Sequence, residues 1–303
     1  MTSPFHDGET EAQRRAGYRL ADAPIRPTMP EQHRDFFAAQ PWLAAATVGS
    51  DGRPLATILT GRPGFIASPD PATLRIAALP AAADPFRAAM AEGGAIGVLG
   101  LDLATRRRNR VNGRIATLDA HGFSVVVEQS FGNCPKYIQA RDLIESGRPS
   151  PPPAPLERLN SLDDEARRLI AASDTAFVAS ASGPDVTAHG GADISHRGGK
   201  PGFVTVAADR LIVPDLKGNR YFNTLGNFVS HPWAALLFVD FVTGDLLHLS
   251  GAVTIDWSSG PRTGGAERSW QMEVEAGWRQ PAALALRWRF RDWSPFLFGP
   301  ATD

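Results

Sequence analysis

A pattern of glycine, a basic residue, proline, glycine and phenylalanine occurs twice in this sequence. The two copies are Gly61–Phe65 and Gly199–Phe203, which lie 138 residues apart. A polar residue followed by glycine recurs at the same offset, as Asn112-Gly113 and Ser250-Gly251. Because solenoid repeats are only about 20 to 50 residues long, this offset indicates duplication of a whole domain-sized unit. The shared offset also argues against chance recurrence of a common Gly-x-Pro-Gly turn.

Short apolar runs bounded by turn residues predict strands in both copies. In the first copy, Leu43–Val48 and Pro54–Thr60 form a predicted hairpin. Further strands are predicted after Gly61–Ile66 and at Thr73–Ala78, Ala95–Leu99, Arg110–Leu118, Ala176–Ser180, Gly202–Ala207, Arg210–Val213 and Leu284–Phe290. Helices are predicted at Glu9–Ala16, Pro30–Gln40, Asp84–Glu92 and, after an N-cap at Ser161, Leu162–Ala172. The predicted fold class is mainly β with flanking helices (α+β), built on β-barrels.

The sequence divides into five predicted parts. They are an N-terminal arm (1–28), a first unit (29–128), a connecting segment (129–160), a second unit (161–257) and a C-terminal tail (258–303). The connecting segment contains the proline-rich run 147–156, which predicts a stiff, extended linker. We interpret the four tryptophans of the tail as core residues rather than a ligand cage; they are Trp270, Trp278, Trp288 and Trp293.

Composition indicates a soluble globular protein, with 43% hydrophobic and 21% charged residues. The formal net charge of −1 gives no general attraction to nucleic acid or to a membrane. The single cysteine, Cys134, excludes an intrachain disulfide and suits a reducing compartment. Met1–Asp22 lacks the apolar core of a signal peptide, and no apolar stretch reaches membrane-spanning length. We therefore expect a cytoplasmic protein without nucleic-acid or membrane partners.

Basic side chains crowd around two predicted strands of the second copy, Gly202–Ala207 and Arg210–Val213. These side chains are Arg197, Lys200, Lys217 and Arg220. The segments that carry them are predicted loops rich in Gly, Asn and Ser. Such loops can direct several backbone N–H groups and a cation at one point, as a bound phosphate requires. This stretch therefore predicts an anion-binding edge of a small β-barrel.

The order of motifs from Gly183 to Phe241 resembles the pyridoxamine-phosphate oxidase-like FMN-binding split barrels. The motifs are Ser195-His-Arg-Gly-Gly-Lys-Pro-Gly-Phe-Val204, Pro214-Asp-Leu-Lys-Gly-Asn219, Asn223-Thr-Leu-Gly-Asn227 and Ala234-Ala-Leu-Leu-Phe-Val-Asp-Phe241. The resemblance implies FMN as the cofactor and two tandem split-barrel units packed as an intrachain pseudo-dimer. It does not imply the reaction of the namesake enzyme, because one fold hosts many activities.

Matching the motifs residue by residue, the resemblance implies a set of FMN-binding positions. They are Ser195, Arg197, Gly198, Pro214, Asp215, Lys217, Gly218, Asn219, Asn223, Thr224 and Asn227. We predict that Arg197 and Lys217 contact the phosphate, since Arg offers paired donors and Lys a point charge. Asp215 is expected to shape its own loop through an Asx turn, or else to orient Lys217. The first unit lacks these motifs, so one flavin site per chain is expected, with the first unit as its structural partner.

A second basic cluster lies on a predicted strand of the first unit. By two-residue alternation, one face carries Arg106, Arg108, Arg110 and Arg114. Three interpretations remain open for this face: an anionic-substrate site, a reach across to the flavin phosphate, or a solvated edge strand.

Some residues beside the predicted site have no assigned role from sequence. His196 either lies near the flavin or caps a turn. Asn133 and Lys136 belong to a run, Phe131–Tyr137, that also resembles the tandem relatives, and they are candidates for closing the site. Cys134 is expected to be buried rather than nucleophilic.

These patterns favour an FMN-dependent oxidoreductase that transfers hydride or electrons between a small molecule and bound flavin. No catalytic residue is identified, no metal-ligand spacing is present, and Ser195 has no evident triad partners. The alternatives are a non-catalytic FMN-binding or FMN-sequestering protein and a haem-binding split barrel. The expected partner is a small-molecule substrate or electron donor. A homodimer is left open, because two units in one chain already form a pair.

Overall fold

The computed structural model describes residues 3–144, 155–186, 188–258 and 265–297. Most of the predicted linker 147–156, and part of the polar run that follows Trp257, lie outside these residues. The helices are α1 (Asp7–Arg15), α2 (Glu31–Ala38), α3 (Pro85–Ala89), α4 (Asp164–Ala172) and α5 (Asn223–Ser230). Among the described residues, no helix has the length and apolar composition needed to cross a membrane.

The first unit is a seven-stranded antiparallel sheet. Its strands are β1 (Trp42–Val48), β2 (Pro54–Thr60), β3 (Ile66–Asp70), β4 (Thr73–Ile76), β5 (Ala95–Asp102), β6 (Arg107–Asp119) and β7 (Gly122–Asn133). Their order in the sheet is β2-β1-β5-β6-β7-β4-β3. The predicted hairpin is confirmed, with Val48 paired to Pro54 across the turn.

The second unit repeats this architecture. After the short β8 (Ala140–Ile144) and β9 (Glu157–Leu159) come β10 (Thr175–Ala181), β11 (Ala192–Gly198), β12 (Thr205–Ala207), β13 (Arg210–Asp215), β14 (Trp233–Val239), β15 (Leu246–Asp256), β16 (Arg268–Gln280) and β17 (Arg287–Asp292). The main path runs β11-β10-β14-β15-β16-β13-β12, with β9 added on β16 and β17 paired to β8. Counted from the start of each unit, this strand order is the same as that of the first sheet. The fold is therefore mainly β, with two split-barrel-like halves.

The offset seen in the sequence aligns the structural elements. β2 and β11 begin 138 residues apart, as do β5 and β14. Asn112-Gly113 and Ser250-Gly251 mark irregularities of register at matching places in β6 and β15. A Cβ added to either glycine would collide with a carbonyl oxygen of the neighbouring strand. Glycine is thus needed where the bulge brings the two backbones together.

One apolar cluster joins the two sheets. It contains Trp42 and Leu99 of the first unit together with Phe177, Ile194 and Leu237 of the second, all buried. Trp42 packs edge-on against Phe177, with ring centroids 5.8 Å apart. Burial of this shared face at about 25 cal/mol per Å² of apolar surface makes the two units interdependent. The units pack as a pseudo-dimer within one chain.

The structure differs from the expected boundaries at three places. β7 continues past residue 128 to Asn133, and β16 lies inside the predicted tail although it is a central strand of the second sheet. The polar run before β16 resembles a domain end in sequence, whereas here it only connects two strands. Three tail tryptophans are buried as expected, namely Trp270, Trp278 and Trp288. The N-cap of α4 is Asp163 rather than Ser161, with its carboxylate accepting from Ala166 N at 2.8 Å.

Candidate functional site

A cavity lies between the two units. β6 and the segment after β7 form one wall, and β11, β13 and the start of α5 form the other. The space measures about 880 Å³, part of it open to solvent. Six basic side chains line it: Arg108, Arg110, Lys136, Arg197, Arg220 and Arg268. Only two acidic side chains, Asp215 and Glu267, line it with them. The cavity is therefore suited to an anionic ligand.

Most of the predicted FMN-binding residues line this cavity. They are Ser195, Arg197, Gly198, Pro214, Asp215, Gly218, Asn219, Asn223 and Thr224. Lys217 is exposed and lies outside the lining set; its carbonyl accepts a hydrogen bond from the Tyr137 hydroxyl at 3.2 Å. Asn227 is buried behind the cavity, between His6 and Ser180. The structure thus brings together three separate sequence motifs but places these two residues elsewhere.

The predicted loop around Ser195 is a strand. β11 lies at the end of the second sheet and pairs with β10 from Ala192 to Gly198. Because side chains alternate along a strand, Asp193, Ser195 and Arg197 share one face. Polar residues and glycine made this stretch resemble a loop in the sequence. They occur in a strand here because that face is turned towards the other unit rather than into an apolar core.

Arg110 reaches from the first unit into the second. Its side chain is 5% exposed and donates to Asp193 Oδ1 at 2.6 Å and to Ser195 Oγ at 2.8 Å. It also donates to Asn223 Oδ1 at 3.3 Å, while the Thr224 hydroxyl donates to Ser195 Oγ at 2.9 Å. The alternative of a solvated edge strand is wrong for this residue, since β6 lies inside the first sheet between β5 and β7. Arg110 orders the cavity wall of the other unit.

Arg108 lies two residues earlier on the same face of β6. It donates to the carbonyl oxygen of Cys134 at 2.9 Å, to the Cys134 sulfur at 3.5 Å and to His196 Nδ1 at 3.3 Å. Among the described residues, no carboxylate forms a salt bridge with it, and burial lowers its pKa to about 10. A buried cation without a counter-charge is costly. An anion entering the cavity would supply the missing charge.

Asp215 holds a basic residue from the predicted tail rather than its own loop. Its carboxylate lies 2.6 Å from Arg268 Nη1 and 4.0 Å from Arg197 Nη2. Burial raises the pKa of Asp215, and the two arginines partly offset that rise. The expectation of an Asx turn or of a contact with Lys217 is therefore replaced by this ion pair. Arg268 follows more than forty residues after the motifs and carries no sequence signal of its own.

His196 is a buried, neutral side chain in the cavity wall. Burial, followed by the nearby Arg108 and Arg197, holds its pKa well below the usual histidine range. Because Arg108 donates to Nδ1, the ring proton is assigned to Nε2, which has no hydrogen-bond partner within the described chain. The turn-capping alternative is wrong, since His196 lies inside β11.

Several other buried polar atoms around the cavity have no partner among the described residues. They are Arg110 Nε, Arg197 Nε and Asn133 Oδ1. Buried polar groups in proteins are almost always hydrogen-bonded, so such a grouping requires an explanation. Cys134 also lines the cavity and is only partly buried, in contrast to the expectation from sequence. No grouping of metal-ligating side chains occurs in the part of the chain that the structure describes.

The backbone around the cavity is unusual at three non-glycine residues. Tyr137, Arg220 and Phe222 have φ values of 66°, 66° and 61°. The left-handed region is unfavourable for residues with a Cβ, and such strain tends to occur at functional sites. It is concentrated here in the two segments that face each other across the cavity.

The pseudo-symmetric counterpart of this site is filled. The positions 138 residues away from Arg110 and Thr224 carry His248 and Phe86, both buried. The ring nitrogens of His248 lie 3.1 Å from the Ala56 carbonyl and 3.1 Å from Gln280 Oε1. These contacts close the wall that is open in the other half. One ligand site per chain remains a prediction that this asymmetry supports.

Comparison with known proteins places the first unit in a family. Residues 29–154 match the family described as pyridoxamine 5'-phosphate oxidase. No curated protein matches the chain at a significant level.

The solved structures similar to this chain are distant. A putative pyridoxamine 5'-phosphate oxidase from Lactobacillus delbrueckii is 17% identical, with 35% of this chain and 95% of that chain covered and a TM-score of 0.28. HupZ of Group A Streptococcus is 18% identical, with coverages of 38% and 90% and a TM-score of 0.30. The K. pneumonia MrkH–c-di-GMP complex is 13% identical, with coverages of 85% and 87% and a TM-score of 0.24.

The family match lies in the first unit, and the second unit repeats the strand order of the first. The chain therefore belongs to the pyridoxamine 5'-phosphate oxidase-like split-barrel family.

Proposed function

We propose that this protein binds FMN in the cavity between its two units and acts as an FMN-dependent oxidoreductase on a small molecule. The observation that carries the proposal is the convergence of Arg108, Arg110 and Arg197 from both units on one cavity. Arg110 is neutralised by Asp193, but Arg108 has no acidic partner among the described residues and Arg197 has only the distant Asp215. A phosphate with roughly two negative charges near neutral pH would compensate both.

The lining also suits the rest of the cofactor. Phe203, Pro214, Leu216 and Phe222 give the cavity apolar surface for a flat ring system. The unpartnered Nε2–H of His196 and Nε–H of Arg197 are donors that the flavin ring or the phosphate would satisfy. Bound flavin would supply the electron-transfer chemistry, while the protein supplies binding, orientation and tuning.

A haem-binding role is less well supported by this site. A haem iron is commonly held by a neutral imidazole nitrogen, and His196 is neutral. Its Nε2, however, carries the ring proton and is shielded from solvent, so ligation would require a tautomer change and a side-chain movement. Flavin binding requires neither change.

Both walls of the cavity come from one chain. We propose on this basis that a homodimer is not needed to complete the site, and that the protein works in the cytoplasm with a small-molecule substrate or electron donor. The single cysteine agrees with a reducing compartment.

The absorption spectrum and FMN content of the purified protein test this function. One FMN per chain with flavin absorption bands is expected, and flavin reduction by NAD(P)H or another donor would distinguish an enzyme from a non-catalytic binder. A chain that binds no FMN on titration but shows a Soret band after haem addition would overturn the flavin assignment.

A further inference from the structure

The N-terminal arm docks on the candidate site through a close crossing of two helices. α1 packs against α5 with Gly8 and Gly226 at the contact. A Cβ on Gly8 would collide with the Gly226 carbonyl, and one on Gly226 would lie 2.5 Å from the Cα of Glu9. The two glycines therefore allow backbone contact, which brings the side chain of Glu9 to the first residue of α5.

Glu9 is connected to the cavity wall by a chain of hydrogen bonds. Its buried carboxyl accepts from Asn223 Nδ2 and, at 3.0 Å, from the His6 backbone N–H. Asn223 Oδ1 accepts from Arg110 at 3.3 Å, and Arg110 donates to Ser195 Oγ at 2.8 Å. The arm thereby fixes the amide orientation of Asn223, and Asn223 helps to fix Arg110.

A second set of contacts joins the arm to the strained segment before α5. The Tyr18 ring stacks on Phe222 with centroids 6.0 Å apart, and the Arg220 guanidinium lies 4.2 Å from the Tyr18 ring centre. Gln13 donates to the Tyr221 carbonyl at 3.3 Å. Arg220 and Phe222 are the two residues of this segment with positive φ. The arm therefore packs on the part of the cavity wall with the least favourable backbone.

We propose that the N-terminal arm, residues 3–20, is part of the ligand site, and that Glu9 is a positioning residue acting through Asn223 on Arg110 and Ser195. The identity of the ligand rests on the proposed function, whereas the positioning belongs to the free chain. A ligand that contacts the positioned wall favours the docked arm, and by linkage the docked arm favours the ligand.

The first arm of the test uses the protein without ligand. Gly8→Ala and Glu9→Ala are compared with wild type and with Thr10→Ala, which alters an exposed position of α1. We expect faster amide hydrogen exchange at 193–197 and 219–224 in the first two variants, with the first sheet and the Thr10→Ala control unchanged. Unchanged exchange at these segments, or an equal rise along the whole chain, would overturn the positioning role.

The second arm measures binding of FMN and of riboflavin, which lacks the phosphate. We expect Gly8→Ala and Glu9→Ala to weaken FMN binding by about tenfold and riboflavin binding by less, because the positioned residues lie in the cationic wall. In wild type, FMN should slow tryptic cleavage after the arm residues Arg14, Arg15 and Arg19.

The two proposals fail in different ways. If wild type binds no FMN while local exchange still rises in the variants, the cofactor assignment is wrong and the positioning role stands. If all variants bind FMN as wild type does, the arm is not part of the ligand site.

Discussion

Arg110 of the first unit and Asp193 of the second form a buried ion pair, with 2.6 Å between Nη1 and Oδ1. The pair joins β6 to β11 beside the apolar cluster that the two sheets share. It lies where the two halves of the chain meet and where the candidate site begins. One contact therefore serves both the packing of the units and the shape of the cavity.

Removing one partner of this pair should be strongly destabilising. Asp193→Ala leaves a buried guanidinium without its charge partner, so we expect the free energy of unfolding to fall by about 3 to 5 kcal/mol. Urea denaturation followed by tryptophan fluorescence measures this change. Arg114→Ala serves as the control, because its ion pair with Glu128 is half-exposed and should contribute less than about 1 kcal/mol. Equal losses in the two variants would contradict a buried pair at Arg110.

Arg108 and Lys217 give a matched test of the phosphate assignment. Arg108 lines the cavity without an acidic partner in the described chain, whereas the exposed side chain of Lys217 lies outside the lining set. We expect Arg108→Ala to weaken FMN binding by about tenfold to a hundredfold, the value of one charged hydrogen bond, and Lys217→Ala to change it little. Fluorescence titration measures both. A larger loss from Lys217→Ala would restore the assignment made from sequence.

Sequence reasoning was most successful where the pattern is local or repeated. The offset between Gly61–Phe65 and Gly199–Phe203 anticipated two units, and the structure aligns their strands at that offset. Apolar alternation located most strands because each buries one face against a neighbouring layer. Ser195–Gly198 was misjudged as a loop, since its polar face meets another polar face rather than an apolar core.

Residues distant in sequence were the ones that sequence reasoning missed. Arg268 reaches the cavity from β16, and Glu9 contacts Asn223 from the arm. Neither belongs to a motif, and each is placed by tertiary packing alone. A pair of small residues at Gly8 and Gly226 would have been the available signal, but glycine is too common for one such pair to stand out.

Glu9 should make the stability of the protein depend on pH. Burial raises its pKa from 4.5 to about 8, and Asp193 adds to the rise, while hydrogen bonds from His6 and Asn223 and the charge of Arg110 oppose it. Since the folded pKa exceeds the unfolded value, the contribution is complete below pH 4.5 and is lost as pH rises towards about 8.

The dependence can be measured as the free energy of unfolding in urea across this window. We expect Glu9 to contribute a fall of up to about 1.4 kcal/mol per pH unit, together with faster proteolysis of the arm at higher pH. His6 also titrates nearby, with its pKa lowered by burial, so His6→Asn is compared in parallel. In Glu9→Gln the slope assigned to Glu9 should disappear; a slope equal to that of wild type would show that another group is responsible.

The two bulge glycines should be intolerant of a side chain for the same reason in both units. A Cβ at Gly113 would collide with the Val126 carbonyl, and one at Gly251 with the Glu273 carbonyl. We expect alanine at either position to lower the free energy of unfolding by about 1 to 3 kcal/mol, as overpacking does. Gly132→Ala is the control, since a Cβ there would meet only the side-chain oxygen of Asn109 at 3.5 Å. Urea midpoints for the three variants measure the difference, and a Gly251→Ala midpoint as high as that of Gly132→Ala would mean that the bulge of β15 can relax.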